Sequence, residues 1–150
     1  MNTIINDFKE LIEVDENFTK KHVYSLEEIE SFEKHHDWKL LGEYKEFLKE
    51  VGTLEYKYDE FGGEFKFIDL QDIESWSNNV FPPSENLYPT ILLIATSTSG
   101  EEYGIIKGES KLYVFNPEVP CHLWLSEKMK EYTFNEWLNV LCTSKMEVTW

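Results

Sequence analysis

The sequence is poor in cysteine and has no long apolar run. Two cysteines, Cys121 and Cys142, occur among 150 residues, which is too few for a disulfide framework. No apolar segment approaches the roughly 20 residues that a membrane-spanning helix needs. The N-terminus does not resemble a secretory signal, because Asp7, Lys9 and Glu10 interrupt its apolar residues. We therefore expect a reducing, cytoplasmic location.

Basic residues are also scarce relative to acidic ones. The chain has 14 basic and 29 acidic residues, which gives a formal net charge of -15 at pH 7. A surface of this sign repels nucleic acid phosphates and anionic membranes, so we predict that neither is a partner. The charge favours either simple solubility or a basic protein partner.

The sequence lacks the common signatures of nucleotide binding and catalysis. It contains no G-x-x-x-x-G-K-[ST], no G-x-G-x-x-G and no G-x-S-x-G. The adjacent residues His35 and His36 point about 100° apart on a helix, so they do not converge on one metal ion. The pair Cys121-His122 would need a base and an orienting group that the sequence does not reveal. We predict no catalytic residue, no metal site and no cofactor.

What the sequence does have is a pair of short amphipathic helices between Ser25 and Gly52. Ser25 and Glu28 form an S-x-x-E capping box at the first helix. Gly52 is placed to end the second helix in a left-handed conformation, in which a side chain would clash. The apolar faces, spaced as in a helix, are Leu26, Ile29 and Phe32 in the first and Tyr44, Phe47, Leu48 and Val51 in the second.

Three more helices are predicted elsewhere. Ile4, Ile5, Phe8, Leu11 and Ile12 lie on one face of a helix at the start of the chain. A closing helix has a second capping box, Thr133 with Glu136, and its apolar face is Phe134, Trp137, Leu138 and Leu141. A short helix through Leu70, Ile73 and Trp76 follows Asp69 as its cap, and residues 14–19 and 77–89 are predicted loops.

The middle of the chain alternates with the period of β-strands. The predicted strands are 53–58, 65–68, 91–95, 103–106, 112–115 and a short 123–125, with turns at 59–63 and 96–100. Helices, antiparallel strands and a closing helix predict one α+β domain over residues 1–150. Most of the five tryptophans and eight tyrosines fall on faces assigned to the core, with Trp150 as the exception; the alternative is that they form a ligand cleft or an interface.

Acidic residues cluster in two of the predicted turns. Asp59, Glu60 and Glu64 belong to one turn region, and Glu101 and Glu102 belong to another. If these turns lie at the same end of the sheet, the five residues form an acidic patch suited to a basic partner. The alternative is that the charges only keep the turns hydrated.

Several of these segments together resemble the SMI1/KNR4 (SUKH) superfamily. The resemblance rests on Ser25–Glu33, Leu41, Tyr44–Leu48 and Gly52, then on Phe67–Ile73, Ile91–Ala95, Gly100–Tyr103 and Tyr132–Leu138. It covers about residues 22–141. The chain departs from the family pattern at Leu41-Gly42, where Leu-Pro is usual, and at Val51-Gly52-Thr53, where Asn-Gly-Gly is frequent.

The resemblance implies an α+β fold with a mixed, mostly antiparallel sheet flanked by helices, and a role without catalysis. Many bacterial members look like immunity proteins that bind and neutralise a toxin, often a nuclease. A basic toxin domain is therefore the expected partner, and it suits the acidic charge. Two alternatives stay open: a regulatory or scaffolding module like the eukaryotic relatives, and a small-molecule-binding or enzymatic domain. The latter would need a buried polar pocket with a carboxylate of raised pKa.

Overall fold

The computed structural model describes residues 3–58, 63–128 and 130–146. Within them the helices are α1 (Thr3–Val14), α2 (Leu26–His36), α3 (Gly42–Glu50), α4 (Ile73–Val80) and α5 (Phe134–Thr143). The strands are β1 (Phe18–His22), β2 (Thr53–Lys57), β3 (Glu64–Phe67), β4 (Ile91–Ser97), β5 (Glu102–Ile106), β6 (Leu112–Phe115) and β7 (Lys130–Tyr132). The predicted α+β fold is confirmed. In the described ranges, every helix is too short or too polar to cross a bilayer.

The strands of the described chain form one sheet in the order β1 to β7, and each pairs antiparallel with its neighbour in sequence. Because neighbouring strands reverse direction, successive turns alternate between the two ends of the sheet. The β2–β3 and β4–β5 turns therefore share one end. The β5–β6 turn lies at the other.

The main core lies between one face of the sheet and helices α1, α3 and α5. The Phe8 and Phe47 rings of α1 and α3 lie 5.5 Å apart, and Phe47 lies 5.0 Å from Phe67 of β3. Trp137 of α5 packs 5.5 Å from Phe67 and 5.4 Å from Tyr103 of β5. These aromatic contacts bring the apolar faces predicted for the helices onto the sheet.

A second, smaller core covers part of the opposite face. Phe115 of β6 stacks on Trp124 with ring centroids 4.9 Å apart, and Phe81 lies 5.4 Å from Trp124. Strand β4 contributes to both cores, and all seven of its residues are buried. Its apolar run predicted this for Ile91–Ala95, whereas Thr96 and Ser97 were expected to lie in the following turn. The other buried members of this second core are Ile91, Leu93, Ile106 and Tyr113.

The predicted helix ends are confirmed at three places. Both capping boxes form: Glu28 N–H donates to Ser25 Oγ at 3.1 Å, and Glu136 N–H donates to Thr133 Oγ1 at 3.1 Å. Gly52 follows α3 with a φ of +84°, and a Cβ at this position would lie 2.0 Å from the carbonyl oxygen of His22. Only glycine fits between the end of α3 and β1.

Two predictions at the edges of the sheet were wrong. Residues 14–19 were expected to be a loop, but α1 continues to Val14 and β1 begins at Phe18. A strand was expected at 123–125, whereas Cys121–Leu123 is a 3₁₀ turn and the last strand is Lys130–Tyr132. The two edge strands are polar and exposed, so neither has the apolar alternation that identifies a half-buried strand.

The segment between β3 and β4 also differs from its prediction. Helix α4 continues to Val80 and a 3₁₀ turn follows at Pro83–Glu85, where a loop was expected over residues 77–89. The Asp69 side chain does not cap a helix, because it accepts a hydrogen bond from Thr53 Oγ1 and lies 3.3 Å from Lys21 Nζ. The core assignment of Trp38, Trp124 and Trp137 is confirmed, Trp76 is only partly buried, and Trp150 lies outside the described residues.

Candidate partner-binding surface

The two acidic turn regions lie side by side at one end of the sheet. Thr98, in the β4–β5 turn, donates from its backbone N–H to the carbonyl oxygen of Glu64 at 3.0 Å. Its hydroxyl donates to the same oxygen at 2.8 Å. Glu64, at the start of β3, therefore lies against the turn that carries Glu101. The predicted positions Asp59 and Glu60 fall outside the described residues.

The β4–β5 turn fixes the position of the Glu101 carboxylate. Gly100 adopts a φ of +99° and its N–H donates to the Ser97 carbonyl oxygen at 2.9 Å, which closes the turn. The hydroxyls of Ser97 and Ser99 both donate to Oε2 of Glu101, the first at 3.1 Å. The half-exposed carboxylate is thus held in place before any partner arrives.

A third acidic residue, which the sequence reading missed, reaches the same end. A Cβ on Gly100 would lie 3.1 Å from Cγ of Pro117, so the segment after β6 passes next to the β4–β5 turn. This segment carries Glu118, which is exposed. The antiparallel pairing of β5 and β6 was the available signal, because it returns the end of β6 to the start of β5. We call Glu64, Glu101 and Glu118 the acidic end.

Glu102, the remaining predicted contact residue, is 5% exposed and does not offer its carboxylate to a partner. Trp76 Nε1 donates to its Oε1 at 2.6 Å, and Thr96 Oγ1 donates to its Oε2 at 2.6 Å. Burial raises the pKa of Glu102 to about 7, although the two hydrogen bonds and the charge of Lys66 act in the opposite direction. This side chain joins α4 to the sheet.

Next to the acidic end, a polar groove of about 460 Å³ lies between α4 and the adjoining sheet face. Lys66 places its Nζ 5.5 Å from the ring centroid of half-exposed Trp76 and 3.9 Å from Glu64 Oε1. Lys21 lies 3.3 Å from Asp69 Oδ2 on the opposite side. Both lysines that line the groove, Lys21 and Lys66, therefore have acidic neighbours. The lining residues are Lys21, Lys66, Ile68, Asp69, Asp72, Ser75, Trp76, Asn78 and Asn79, so Glu102 is not one of them.

The histidines and cysteines noted in the sequence have ordinary structural surroundings. The ring of His36 hydrogen-bonds through Nδ1 to the Tyr88 hydroxyl, and burial lowers the pKa of His36. Burial raises the pKa of the Cys121 thiol, and Glu85 adds to this effect, so the nucleophilic thiolate is disfavoured. Over the described ranges, three or more His, Cys, Asp or Glu side chains nowhere come together as a metal site would require.

Comparison with known proteins identifies relatives over most of this structure. A family model described as the SMI1 / KNR4 family (SUKH-1) matches residues 24–139. The chain is 31% identical over 130 residues to immunity protein RhsIB of Dickeya dadantii (strain 3937). That alignment covers 81% of this chain and 76% of the relative. The family match includes strands β2 to β7, and with them the acidic end and every lining residue of the polar groove except Lys21.

Proposed function

This chain belongs to the SMI1/KNR4 family (SUKH-1), and from that membership we propose that it is an immunity protein that neutralises a toxin by binding it. The observation that carries the proposal is the 31% identity to immunity protein RhsIB over most of both chains. The protein acts by occupying a surface of the toxin, without catalysis. It works in the cytoplasm, where it meets a toxin that has entered or has been made there.

We propose further that the toxin domain is basic and that it is a nuclease. The net charge of -15 attracts a basic partner and repels nucleic acid. A nuclease holds phosphates in a basic groove, and an acidic inhibitor competes for that groove with the same charge as the substrate. Electrostatic attraction between two such surfaces raises the association rate and orients the encounter.

The acidic end is the surface that we assign to this contact. Glu101 is fixed by two serine hydroxyls, and Glu64 and Glu118 lie beside it. The turn residues Asp59 and Glu60 belong to the same proposed surface by sequence position. Glu102 contributes indirectly, because it anchors Trp76 at the edge of the neighbouring groove. A half-exposed tryptophan beside charged residues is a typical anchor in protein interfaces.

Co-expression with each candidate toxin domain encoded near this chain's gene tests the proposal. We expect the wild-type chain to restore growth and to co-purify with the toxin. The variant Glu64→Lys/Glu101→Lys/Glu118→Lys is expected to lose protection. A matched control, Glu10→Lys/Glu30→Lys/Glu46→Lys, changes the net charge equally at exposed helical positions. This control variant is expected to retain protection.

The outcomes separate the family role from the proposed surface. Equal loss of protection in both triple variants would show that total charge matters and would contradict the assignment of the acidic end. If the chain protects against no neighbouring toxin and instead co-purifies with a protein of its own cell, the regulatory or scaffolding alternative is favoured.

A further inference from the structure

The opposite end of the sheet carries a second groove, of about 800 Å³. One wall is the linker between α2 and α3, residues 37–41. The other wall is the β5–β6 turn, residues 107–111, together with Tyr113 of β6. We call this feature the lysine groove, since its walls contain Lys39, Lys107 and Lys111. Its place in the fold separates it from the acidic end by the length of the central strands.

Hydrogen bonds to a common segment hold both walls of the lysine groove in place. In the linker, Trp38 Nε1 donates to the carbonyl oxygen of Pro89 at 2.6 Å. In the turn, Lys107 N–H donates to the carbonyl oxygen of Thr90 at 2.9 Å. Pro89 and Thr90 immediately precede β4, so the two walls are fixed to one part of the chain. A groove formed in advance binds a ligand with a smaller loss of conformational entropy.

The floor of the lysine groove is apolar and partly aromatic. Trp38, Leu40 and Tyr113 line it with 6%, 3% and 4% of their surfaces exposed. These side chains are packed in the protein, and Lys128 Nζ lies 4.8 Å from the ring centroid of Tyr113. An apolar floor with a few polar groups at its rim is typical of sites that bind a side chain of a partner.

The charge at the rim is opposite in sign to that of the protein. Lys107 Nζ lies 3.5 Å from Asp37 Oδ2, and the Glu109 carboxylate accepts a hydrogen bond from the Tyr113 hydroxyl. These contacts occupy the two acidic residues that line the groove. Within the part of the chain that the structure describes, Lys39 and Lys111 have no carboxylate oxygen within 4.0 Å, although Lys111 acts on Glu136 electrostatically from farther away. Two ammonium groups thus flank an apolar floor.

We propose that the lysine groove is a docking site for an acidic peptide segment of a partner protein. Carboxylates of the segment pair with Lys39 and Lys111, and an apolar side chain between them enters the groove over Trp38 and Tyr113. The charge complementarity is local, because the rest of this strongly acidic chain repels such a segment. The protein then has two binding surfaces of opposite preference, one at each end of its sheet.

Binding of a short fluorescein-labelled peptide that alternates glutamate with leucine tests this proposal by fluorescence anisotropy. The full chain is expected to bind it, and the same peptide with glutamine in place of glutamate is expected to bind about tenfold more weakly. The variant Lys39→Glu/Lys111→Glu should lose about as much affinity. Lys34→Glu/Lys49→Glu changes the net charge equally at exposed positions outside the groove and should retain binding. Lys39→Gln/Lys111→Gln removes the two positive charges without reversing them. Its loss of affinity should therefore be smaller than that of Lys39→Glu/Lys111→Glu.

Three results would overturn the proposal. The first is equal binding of the glutamate and glutamine peptides. The second is an equal loss of affinity in the groove variant and its matched control, which would indicate a general charge effect. The third is displacement of the peptide by inorganic phosphate at a concentration equal to that of the peptide, which would indicate a site for small anions.

Discussion

The indole Nε1 of Trp76 donates a 2.6 Å hydrogen bond to the carboxylate of Glu102, which joins α4 to β5 across 26 residues of sequence. Thr96 on the neighbouring strand supplies a second donor to the other oxygen. Both donors are neutral, and the carboxylate is 5% exposed. Removal from water therefore dominates, and it raises the pKa of Glu102 from an ordinary value of 4.5 to about 7.

This contact predicts a pH-dependent effect of Glu102→Gln on stability. Because the folded protein binds the proton more tightly, the contribution of Glu102 to stability is complete below pH 4.5 and is lost as pH rises towards 7. Glutamine keeps the shape without the charge. We expect it to raise the free energy of unfolding at pH 8 by about 2 kcal/mol and to change it little at pH 4.5.

Urea denaturation of both proteins at the two pH values measures this effect. Glu101→Gln, one residue away, serves as the control because it removes the same charge from a half-exposed position. An equal gain for Glu102→Gln at both pH values would mean that its carboxyl does not titrate in this range.

Two buried tyrosines predict opposite effects of the same substitution. The Tyr24 hydroxyl donates to Gln71 Oε1 at 2.9 Å and accepts from Leu70 N–H at 3.0 Å. The Tyr44 hydroxyl is buried without a hydrogen-bond partner among the described residues. Tyr24→Phe should lower the free energy of unfolding by about 1–2 kcal/mol, because it leaves a backbone N–H unpaired. Tyr44→Phe should raise it by about 1 kcal/mol, because it removes a buried, unpaired hydroxyl.

Chemical denaturation of the two single variants and of the double variant measures both effects. A loss of stability in Tyr44→Phe similar to that in Tyr24→Phe would show that the Tyr44 hydroxyl has a partner in solution, such as a buried water.

Two glycines next to α3 predict another contrast. Gly52→Ala places a Cβ 2.0 Å from the His22 carbonyl oxygen at a φ of +84°. The end of α3 or β1 must then move, and we expect a loss of at least about 3 kcal/mol. At Gly42 no atom lies within 4 Å of an added Cβ. Gly42→Ala should therefore stabilise the helix by about 0.5–1 kcal/mol.

Thermal unfolding compares the two glycine variants directly. Since 1 kcal/mol corresponds to about 2–4 °C in Tm for a chain of this size, the two midpoints should differ by roughly 10 °C. Similar midpoints would contradict the close approach of α3 and β1 at Gly52.

The proposed assignment of the acidic end to the toxin contact predicts a salt-dependent association rate with the proposed toxin partner. Glu64→Gln/Glu101→Gln/Glu118→Gln should slow association by about tenfold at low ionic strength and change dissociation less, because the carboxylates act mainly during the encounter. Stopped-flow measurements over a range of salt concentrations test this expectation. The difference from wild type should shrink as salt screens the charges, and a difference that persists at high salt would instead indicate lost direct contacts.

Sequence reasoning succeeded where one short segment carries all of the information about an element. The Ser25 and Thr133 capping boxes and the apolar run of β4 are local patterns, and the structure contains each of them. The edge strands β1 and β7 were missed because their pairing depends on a neighbour and not on their own alternation.

The sequence likewise predicts some features of the two candidate surfaces and not others. The proximity of the Glu64 and Glu101 turns follows from antiparallel strand order, so it was predictable. The burial of Glu102 was not, because Trp76 covers it from a distant helix. The lysine groove also combines segments that are far apart in sequence, and no periodic pattern marks Lys39 and Lys111 as neighbours.

The strand order of the sheet has a consequence for how the protein is made. Since each strand pairs with the strand before it, no strand must wait for a later one in order to find its first partner, whereas α1 packs against α5 and waits for the end of the chain. The entropy lost on closing each loop is modest, and low contact order is associated with fast folding. The sheet can therefore grow in the order of synthesis, with β1 and β2 paired before β7 leaves the ribosome.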